Sequence, residues 1–239
     1  MKKNALLIAC LAIGFLASAQ GGAGLPPSIP FSGVGSRPID LNQMTSRPLR
    51  MLNIPDLQGV PYMSAEFKPG YVQIRNGYAQ QNVPIRFNIY RNVLEFKRNG
   101  MELELDSLEM AMYLDVPGDS SSIRVFKAGY PDVDNQNTST IYEVLAIGEK
   151  AHLVKYVYQK LEDVKAMGDY DKKQLTTYSK LYLYVPGKEM MKAKADKKFL
   201  TNLFPRYAQQ IEKLIREKDY NLKKDSEYAQ LIGDLNELK

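Results

Sequence analysis

The amino-acid sequence predicts an α+β protein, an antiparallel β-sandwich or open barrel-like sheet followed by two or three C-terminal helices. Three observations favour this class. Residues 83–105 alternate apolar and polar side chains around a tight turn, and further strand-like runs follow with turn residues between them. Residues 188–239 then change to the apolar spacing of amphipathic helices. The sequence therefore predicts sheet first and helices last.

The segment 83–105 is the clearest strand signal. Arg98-Asn99-Gly100 contains Asn-Gly, the pair that tolerates the positive φ angles of a type I′ hairpin turn. The flanking apolar residues recur near the two-residue period of a half-buried strand, and they are Val93, Leu94, Phe96, Met101, Leu103 and Leu105.

Residues 1–19 have the layout of a secretory signal peptide. Lys2 and Lys3 precede an apolar run, and Ala17-Ser18-Ala19 predicts cleavage before Gln20. The run is too short for a transmembrane anchor, which needs about 20 apolar residues, so no transmembrane segment is expected in the mature chain. The chain is predicted to be exported and to be periplasmic, associated with the outer membrane or extracellular.

Cys10, the only cysteine, lies within this leader. Leu7-Ile8-Ala9-Cys10 loosely matches a lipidation site, so lipoprotein processing is a second interpretation. If the leader is removed, the mature chain has no disulfide and no thiolate ligand, and its core alone must stabilise it.

Residues 20–58 form a Pro- and Gly-rich arm in which no regular element is expected. Apolar residues are scattered through it, unlike a solvated linker. The arm either lies over its own domain or becomes ordered on a protein partner. In the second interpretation it is a docking segment, and its contact residues are Phe31, Ile39, Leu41, Leu49, Met51 and Leu52.

Residues 59–187 are predicted to form an antiparallel β domain. Beyond the central segment, turn signals such as Pro117-Gly118-Asp119 and Gly148-Glu149-Lys150 separate the runs. The predicted strands are 71–75, 110–116, 123–128, 141–147, 151–161 and 181–185.

Residues 188–239 are predicted to form a helical segment that packs on this domain. Asp196 can cap a short helix, Pro205 suits the first turn of a second, and Asp225 or Ser226 can cap a third. Basic residues exceed acidic ones in residues 188–224, so this surface could contact anionic lipid or glycan. A solvated helix face is the simpler interpretation, and nucleic acid is not expected as a partner of an exported chain.

His152 is the only histidine, which restricts catalysis. It lies in a predicted strand on the same face as Val154, Tyr156 and Tyr158, and the chain contains no Gly-x-Ser-x-Gly motif. A half-buried or strand-edge histidine is therefore expected rather than a catalytic triad, and no Gly-rich phosphate loop is present.

A weak calcium-loop pattern is the one metal hypothesis. Asp132, Asp134, Gln136 and Glu143 occupy positions 1, 3, 5 and 12 of an EF-hand loop. The residues after Ile141 resemble a strand instead of the exiting helix, so a polar hairpin loop is the alternative. Calcium is the only cofactor considered, and otherwise none is expected.

Two further groups of residues raise alternative functions. Glu102, Glu104, Asp132 and Asp134 could supply the paired carboxylates of a hydrolase, although Glu102, Glu104 and Asp106 are expected on the solvated side of a hairpin. Tyrosines in or beside predicted strands could form a surface for glycans, small ligands or proteins, or could simply lie at the edge of the core.

Several segments together resemble a group of small exported proteins of the Bacteroidetes. They include Gly59-Val60-Pro61-Tyr62, the run 82–88, Tyr142-Glu143-Val144-Leu145 and the stretch from Lys198 to Glu212. The resemblance covers residues 59–239 and implies lineage and architecture, with no established activity and an arm longer than usual.

The sequence thus favours a non-enzymatic, exported protein of the bacterial cell envelope that acts in binding or assembly. A glycan or small-ligand module is the first alternative, and a carboxylate-based hydrolase is the second.

Overall fold

A computed structural model gives the fold of residues 37–38, 42, 44–50, 53–54, 57–164 and 172–239. The predicted leader and most of the predicted arm lie outside the described residues. Among the arm residues singled out as partner contacts, only Leu49 is described, and it is half-buried. The other five, Phe31, Ile39, Leu41, Met51 and Leu52, lie outside the described residues.

The described residues contain twelve strands and three α-helices. The strands are β1 (Arg37–Pro38), β2 (Ser46–Pro48), β3 (Lys68–Ile74), β4 (Tyr78–Asn88), β5 (Val93–Arg98), β6 (Met101–Leu105), β7 (Leu108–Leu114), β8 (Ile123–Lys127), β9 (Tyr142–Ala146), β10 (His152–Asp163), β11 (Lys173–Tyr184) and β12 (Met190–Lys192). The helices are α1 (Lys197–Leu203), α2 (Ala208–Lys218) and α3 (Asp225–Glu237).

All the strands belong to one sheet, ordered β12-β11-β10-β9-β8-β7-β3-β4-β5-β6-β2, with β1 pairing beside β4. Every pairing is antiparallel except that of β1 with β4. The predicted antiparallel sheet followed by helices is therefore confirmed, whereas a two-sheet sandwich is not.

The link between β6 and β7 shows that this sheet curls. Only Asp106 and Ser107 join the two strands, although β5, β4 and β3 lie between them in the sheet. In a flat sheet the strands would be about 19 Å apart, whereas three residue steps span at most about 11 Å. The strands must therefore curve around a shared core, which contains Val72, Ile85, Phe87, Leu94, Phe96, Leu103 and Phe126.

The predicted hairpin turns are present. Asn99 has a φ of 51° and Gly100 a φ of 79°, the two positive angles that a type I′ turn needs. The sequence underestimates β11, which begins at Lys173 instead of residue 181. Its first half contains no buried residue on either face, so it lacks the alternation that marks a half-buried strand.

The expectation that the arm contains no regular element is wrong for its described part. Ser46–Pro48 pairs with Leu103–Leu105 at the edge of the sheet, where proline is tolerated. Met44 is 2% exposed within the main core. At these residues the arm lies over its own domain.

The helices pack on one face of β9, β10 and β11. Ala146, Leu153 and Leu183 share a core with Leu200, Ile211, Tyr228, Leu231, Ile232 and Leu235. Asp196 caps α1 as predicted, accepting a hydrogen bond from the Lys198 amide at 3.0 Å. The cap of α3 is Lys224 rather than Asp225 or Ser226, and Asp225 instead pairs with Lys155.

Candidate functional site

The face of β10 and β11 opposite the helices carries stacked tyrosines, named here the tyrosine ladder (Tyr156, Tyr158 and Tyr178). The rings of Tyr156 and Tyr158 have centroids 5.2 Å apart at 14°, and those of Tyr158 and Tyr178 are 5.6 Å apart at 25°. Residues of one strand alternate between faces, so the ladder points away from Leu153 and the helices. Tyr178 is 37% exposed. The sheet therefore presents aromatic surface on its uncovered side.

Lysine side chains lie against two of the three rings. Lys160 Nζ lies 5.4 Å from the Tyr178 centroid, and Lys180 Nζ lies 5.8 Å from that of Tyr158. The Tyr178 hydroxyl donates to Glu162 Oε1 at 2.6 Å, and this hydrogen bond raises the pKa of Tyr178. Because the ring faces are occupied, the ladder offers edges, hydroxyls and positive charge more readily than a platform for a sugar ring.

The inner end of the same face holds part of the proposed calcium loop. The Tyr182 hydroxyl donates to Asp134 Oδ2 at 2.7 Å and lies 3.1 Å from Gln136 Oε1. This hydrogen bond, followed by the charges of Lys192 and Lys180, lowers the pKa of Asp134.

Glu143 lies on the other face of the sheet, because Tyr142, the residue before it, packs against Tyr182. Glu143 Oε1 accepts a hydrogen bond from Arg124 Nη1 at 2.6 Å, and Asp132 is exposed. Within the described ranges, no group of three His, Cys, Asp or Glu side chains could hold a metal ion. The structure brings Asp134 and Gln136 together without Glu143, and calcium binding stays a prediction.

His152 lies in a strand and is half-buried, as the sequence predicts. The Tyr130 hydroxyl lies 3.1 Å from its Nδ1, and the Tyr184 ring packs edge-on at 5.3 Å. Burial, together with the charge of Lys127, lowers the pKa of His152 to about 4. A neutral imidazole is thus held among aromatic rings, within hydrogen-bond distance of the Tyr130 hydroxyl.

A cleft lies on the side of β10 and β11 that faces the helices. It is covered by residues 58–63, named here the strap. Gln58 bonds to the backbone of Lys173 and Leu175, Gln159 Nε2 donates to the Val60 carbonyl at 3.0 Å, and Met63 N donates to the Phe87 carbonyl at 3.0 Å. The space beneath is about 350 Å³ and is lined by Tyr62, Met63, Ile89, Arg124, Glu143, Lys155, Val157, Thr177, Tyr178 and Ser179.

The charged residues that line this cleft are each paired with a residue of opposite charge. Arg124 contacts both Glu143 at 2.6 Å and Asp115 at 3.2 Å, and Lys155 pairs with Asp225 at 2.9 Å. Nearby, burial raises the pKa of Tyr113 to about 12. The cleft therefore offers polar groups and an apolar floor without a net charge that would select an ion.

The predicted solvated acidic face of the central hairpin is wrong for Glu104. Its side chain is 0% exposed, with Arg47 Nε at 2.7 Å, Arg91 in contact and the Arg50 amide at 3.0 Å. Glu102 remains 36% exposed and pairs with Arg86. The arm covers this hairpin and supplies Arg47, a contact that no local pattern in the hairpin could reveal. A carboxylate held between guanidinium groups suits an ion pair better than general acid catalysis.

Glu95, on the neighbouring strand, is also fully buried. Arg86 Nη2 lies 2.7 Å from Glu95 Oε2, and Asn88 Nδ2 donates to Glu95 Oε1 at 2.9 Å. The Arg86 guanidinium in turn lies 3.8 Å from the centroid of the Tyr62 ring. The sequence does not mark Glu95 as buried, because an acidic residue within an apolar run carries no local sign of its partner.

The basic segment 188–224 is only partly neutralised by acidic neighbours. Lys197 pairs with Glu212 at 3.4 Å, Lys218 with Asp234 at 2.8 Å and Lys224 with Glu227 at 2.7 Å, all on exposed side chains or at the helix surface. Such pairs contribute little to stability. Contact of this segment with an anionic surface stays a prediction.

Comparison of the chain with protein-family models, curated proteins and solved structures gives no match. Within the part of the chain that the structure covers, no helix is long and apolar enough to cross a membrane. Any proposal about function therefore rests on the geometry of the residues described above.

Proposed function

We propose that the protein is an exported, non-enzymatic binding protein of the bacterial cell envelope that contacts a protein partner through the tyrosine ladder. The layout of residues 1–19 supports export. The observation that carries the binding proposal is the ladder itself, three stacked tyrosines on a sheet face that the helices leave uncovered. Aromatic side chains are enriched in the cores of protein interfaces.

The charges around the ladder define the chemistry of this partner. Lys160 and Lys180 lie over its rings, and Lys192 lies on the adjoining strand, 3.9 Å from Asp134. A partner surface that places carboxylates beside apolar or aromatic groups would complement this arrangement. The partner is therefore an acidic protein surface of the envelope rather than another basic protein.

Site-specific photocrosslinking in cells tests this proposal. With p-benzoylphenylalanine at position 178, we expect one discrete adduct in envelope fractions, and the paired substitutions Lys160→Glu and Lys180→Glu should abolish it. Position 101 is the matched control, because Met101 is 55% exposed on β6, far from the ladder in strand order. No adduct from position 178, or equal adducts from both positions, would contradict the proposal.

Only the undescribed part of the arm remains a candidate for a second docking element. Residues 44–50 already occupy an edge of the protein's own sheet, so the ladder replaces them in this proposal as the main contact surface. Limited proteolysis checks the remainder. Complete resistance of every bond before Gly59, without a partner, would argue against a free recruiting segment.

A second candidate function, the binding of glycan or a small polar ligand, is favoured by the cleft under the strap. Its volume of about 350 Å³ lies within the usual range of ligand sites. Its hydroxyls and balanced charges suit a neutral, hydroxyl-rich molecule. A glycan array tests this candidate. Binding that Ser179→Trp abolishes would support it, and an array without signal would dismiss the glycan form.

A further inference from the structure

The direction of the backbone groups along β10 follows from one hydrogen bond. Val164 N donates to the Lys172 carbonyl at 3.0 Å, and β10 and β11 stay in register throughout, with Tyr158 opposite Tyr178. Because hydrogen-bonded pairs alternate in an antiparallel ladder, the even-numbered residues of β10 bond to β11. The odd-numbered residues direct their N–H and C=O groups towards the opposite edge.

Strand β9 covers that opposite edge only at Leu153–Lys155. Beyond it, no hydrogen bond between described residues reaches the outward N–H and C=O groups of Gln159, Leu161 and Asp163. Val157 is 8% exposed, whereas Leu161 is 37% exposed, so the accessible part of the edge begins after Val157. Such an edge is a template for another strand.

We propose that a second copy of this chain adds to the edge at residues 159–163 in antiparallel orientation, with a two-fold axis at Leu161. The inference goes beyond the proposed function and does not rest on it. In this register Leu161 faces Leu161 of the partner subunit, and Gln159 faces Asp163 of the partner subunit. The two sheets would become one, and the outward backbone groups would be paired.

The charge pattern of the edge favours this register. Lys160 lies opposite Glu162 of the partner subunit, and the two-fold axis repeats this pair on the other side. Opposite charges directly across two strands are stabilising, whereas like charges are destabilising. The edge is therefore complementary to itself in both charge and apolar character.

The other symmetric registers within residues 159–162 are less favourable for strand pairing. An axis at Lys160 would place two lysines opposite each other, and an axis at Glu162 would do the same with two glutamates. An axis at Gln159 would bring the partner strand to Lys155, where Glu143 of β9 already pairs. Among axes within residues 159–162, the one at Leu161 alone avoids these conflicts.

Sedimentation velocity of the purified protein over a concentration series tests the proposal. We expect a reversible dimer, which Leu161→Lys or Lys160→Glu weakens at least tenfold. The double variant Lys160→Glu and Glu162→Lys should restore dimerisation, because the cross-strand pairs are exchanged rather than lost. Met101→Lys, at an apolar position on β6 that is 55% exposed, is the matched control and should dimerise normally. A monomer at all concentrations, or a dimer insensitive to Leu161→Lys, would overturn the inference.

A single engineered cysteine gives a second measurement. In a Cys10→Ser background, Leu161→Cys should form a disulfide-linked dimer under mild oxidation, because hydrogen-bonded pairs have Cα atoms about 5.5 Å apart, within disulfide range. Ser179→Cys, exposed on the neighbouring strand, should not. Equal yields of linked dimer from both variants would also overturn the inference.

Discussion

Arg47 Nε lies 2.7 Å from Oε2 of Glu104, and this contact joins the arm to a carboxylate that is 0% exposed. Arg91 contacts the same side chain from within the domain, and the Arg50 amide donates to it at 3.0 Å. The arm thus supplies two of the donors to the buried Glu104 carboxylate, the Arg47 guanidinium and the Arg50 amide. The curled sheet alone would leave Glu104 without them. This dependence predicts that Glu104 controls both stability and the docking of the arm.

Glu104→Gln should lower the free energy of unfolding by about 3 kcal/mol, because it leaves the Arg91 guanidinium, which is only 18% exposed, without its charged partner. Arg47 is 43% exposed, so Arg47→Ala should cost only about 1 kcal/mol. Urea denaturation of both variants measures the difference. Glu102→Gln, at a 36% exposed carboxylate, is the control and should change stability by less than about 0.5 kcal/mol. Equal effects of Glu102→Gln and Glu104→Gln would contradict this account.

Trypsin should cleave slowly after Arg50 in the native protein. The Arg50 amide donates to Glu104, and its carbonyl accepts a hydrogen bond from Arg91 at 3.2 Å, so a protease must break both hydrogen bonds before it can bind this residue. Glu104→Ala should accelerate this cleavage severalfold, which mass spectrometry of timed digests would detect. Rapid cleavage of the native chain at this bond would show that the arm is not docked there in solution.

Asn236 fastens α3 to the turn between β9 and β10. Its side chain accepts hydrogen bonds from the Lys150 and Ala151 amides at 3.0 and 2.9 Å and donates to the Ala151 carbonyl at 2.9 Å. Asn236→Ala should therefore cost about 2 kcal/mol. A Cβ at Gly148 would lie 2.3 Å from Asn236 Cγ, so Gly148→Ala should cost about 1–3 kcal/mol.

The double variant of Gly148 and Asn236 should lose less stability than the sum of the two single changes. Two of the three nearest atoms to a Cβ at Gly148, Asn236 Cγ and Nδ2, are absent from Asn236→Ala, so the double variant relieves most of the overlap and keeps only the contact with the residue 236 Cβ. Thermal unfolding of the four proteins in this cycle measures the coupling, and Asn76→Ala in an exposed turn serves as the control. Strict additivity would mean that Gly148 is constrained by something other than Asn236.

Stability should fall as the pH decreases from about 6.5 to about 4. His152 has a native pKa of about 4 because it is buried and lies near Lys127, whereas the unfolded chain titrates near 6.5. The unfolded state therefore binds the proton first, and stability rises with pH through this window. Solvent reaches part of the ring, so we expect a change of about 1–2 kcal/mol. His152→Gln should remove this component in denaturation measurements at several pH values, and parallel curves would contradict it.

The hairpin turn and the first helix cap were predictable because their determinants are local. The Asn99-Gly100 turn needs two residues that tolerate positive φ, and the Asp196 cap needs one carboxylate next to two or three free amides. Neither depends on the rest of the chain. The half-buried position of His152 was also predictable from the alternation of its strand.

The burial and the ion pairs of Glu104 were not predictable from the local sequence. Its donor Arg47 lies 57 residues away in sequence, and the arm that carries it lacks any periodic pattern. The length of β11 was not predictable, because its first half has no buried residue on either face and therefore no apolar period. The tyrosine ladder needed the register of β10 and β11, since one residue of slip would separate Tyr158 from Tyr178.

The sequence by itself determined the antiparallel sheet, its tight turns and the helical end, because side-chain periodicity and the φ preferences of glycine, asparagine and proline act over a few residues. Only the tertiary structure decided which sheet face the helices cover, where the arm lies and which tyrosines stack. Those outcomes depend on the burial of apolar area and the pairing of charges between segments far apart in the chain, and such contacts leave no local mark on either segment.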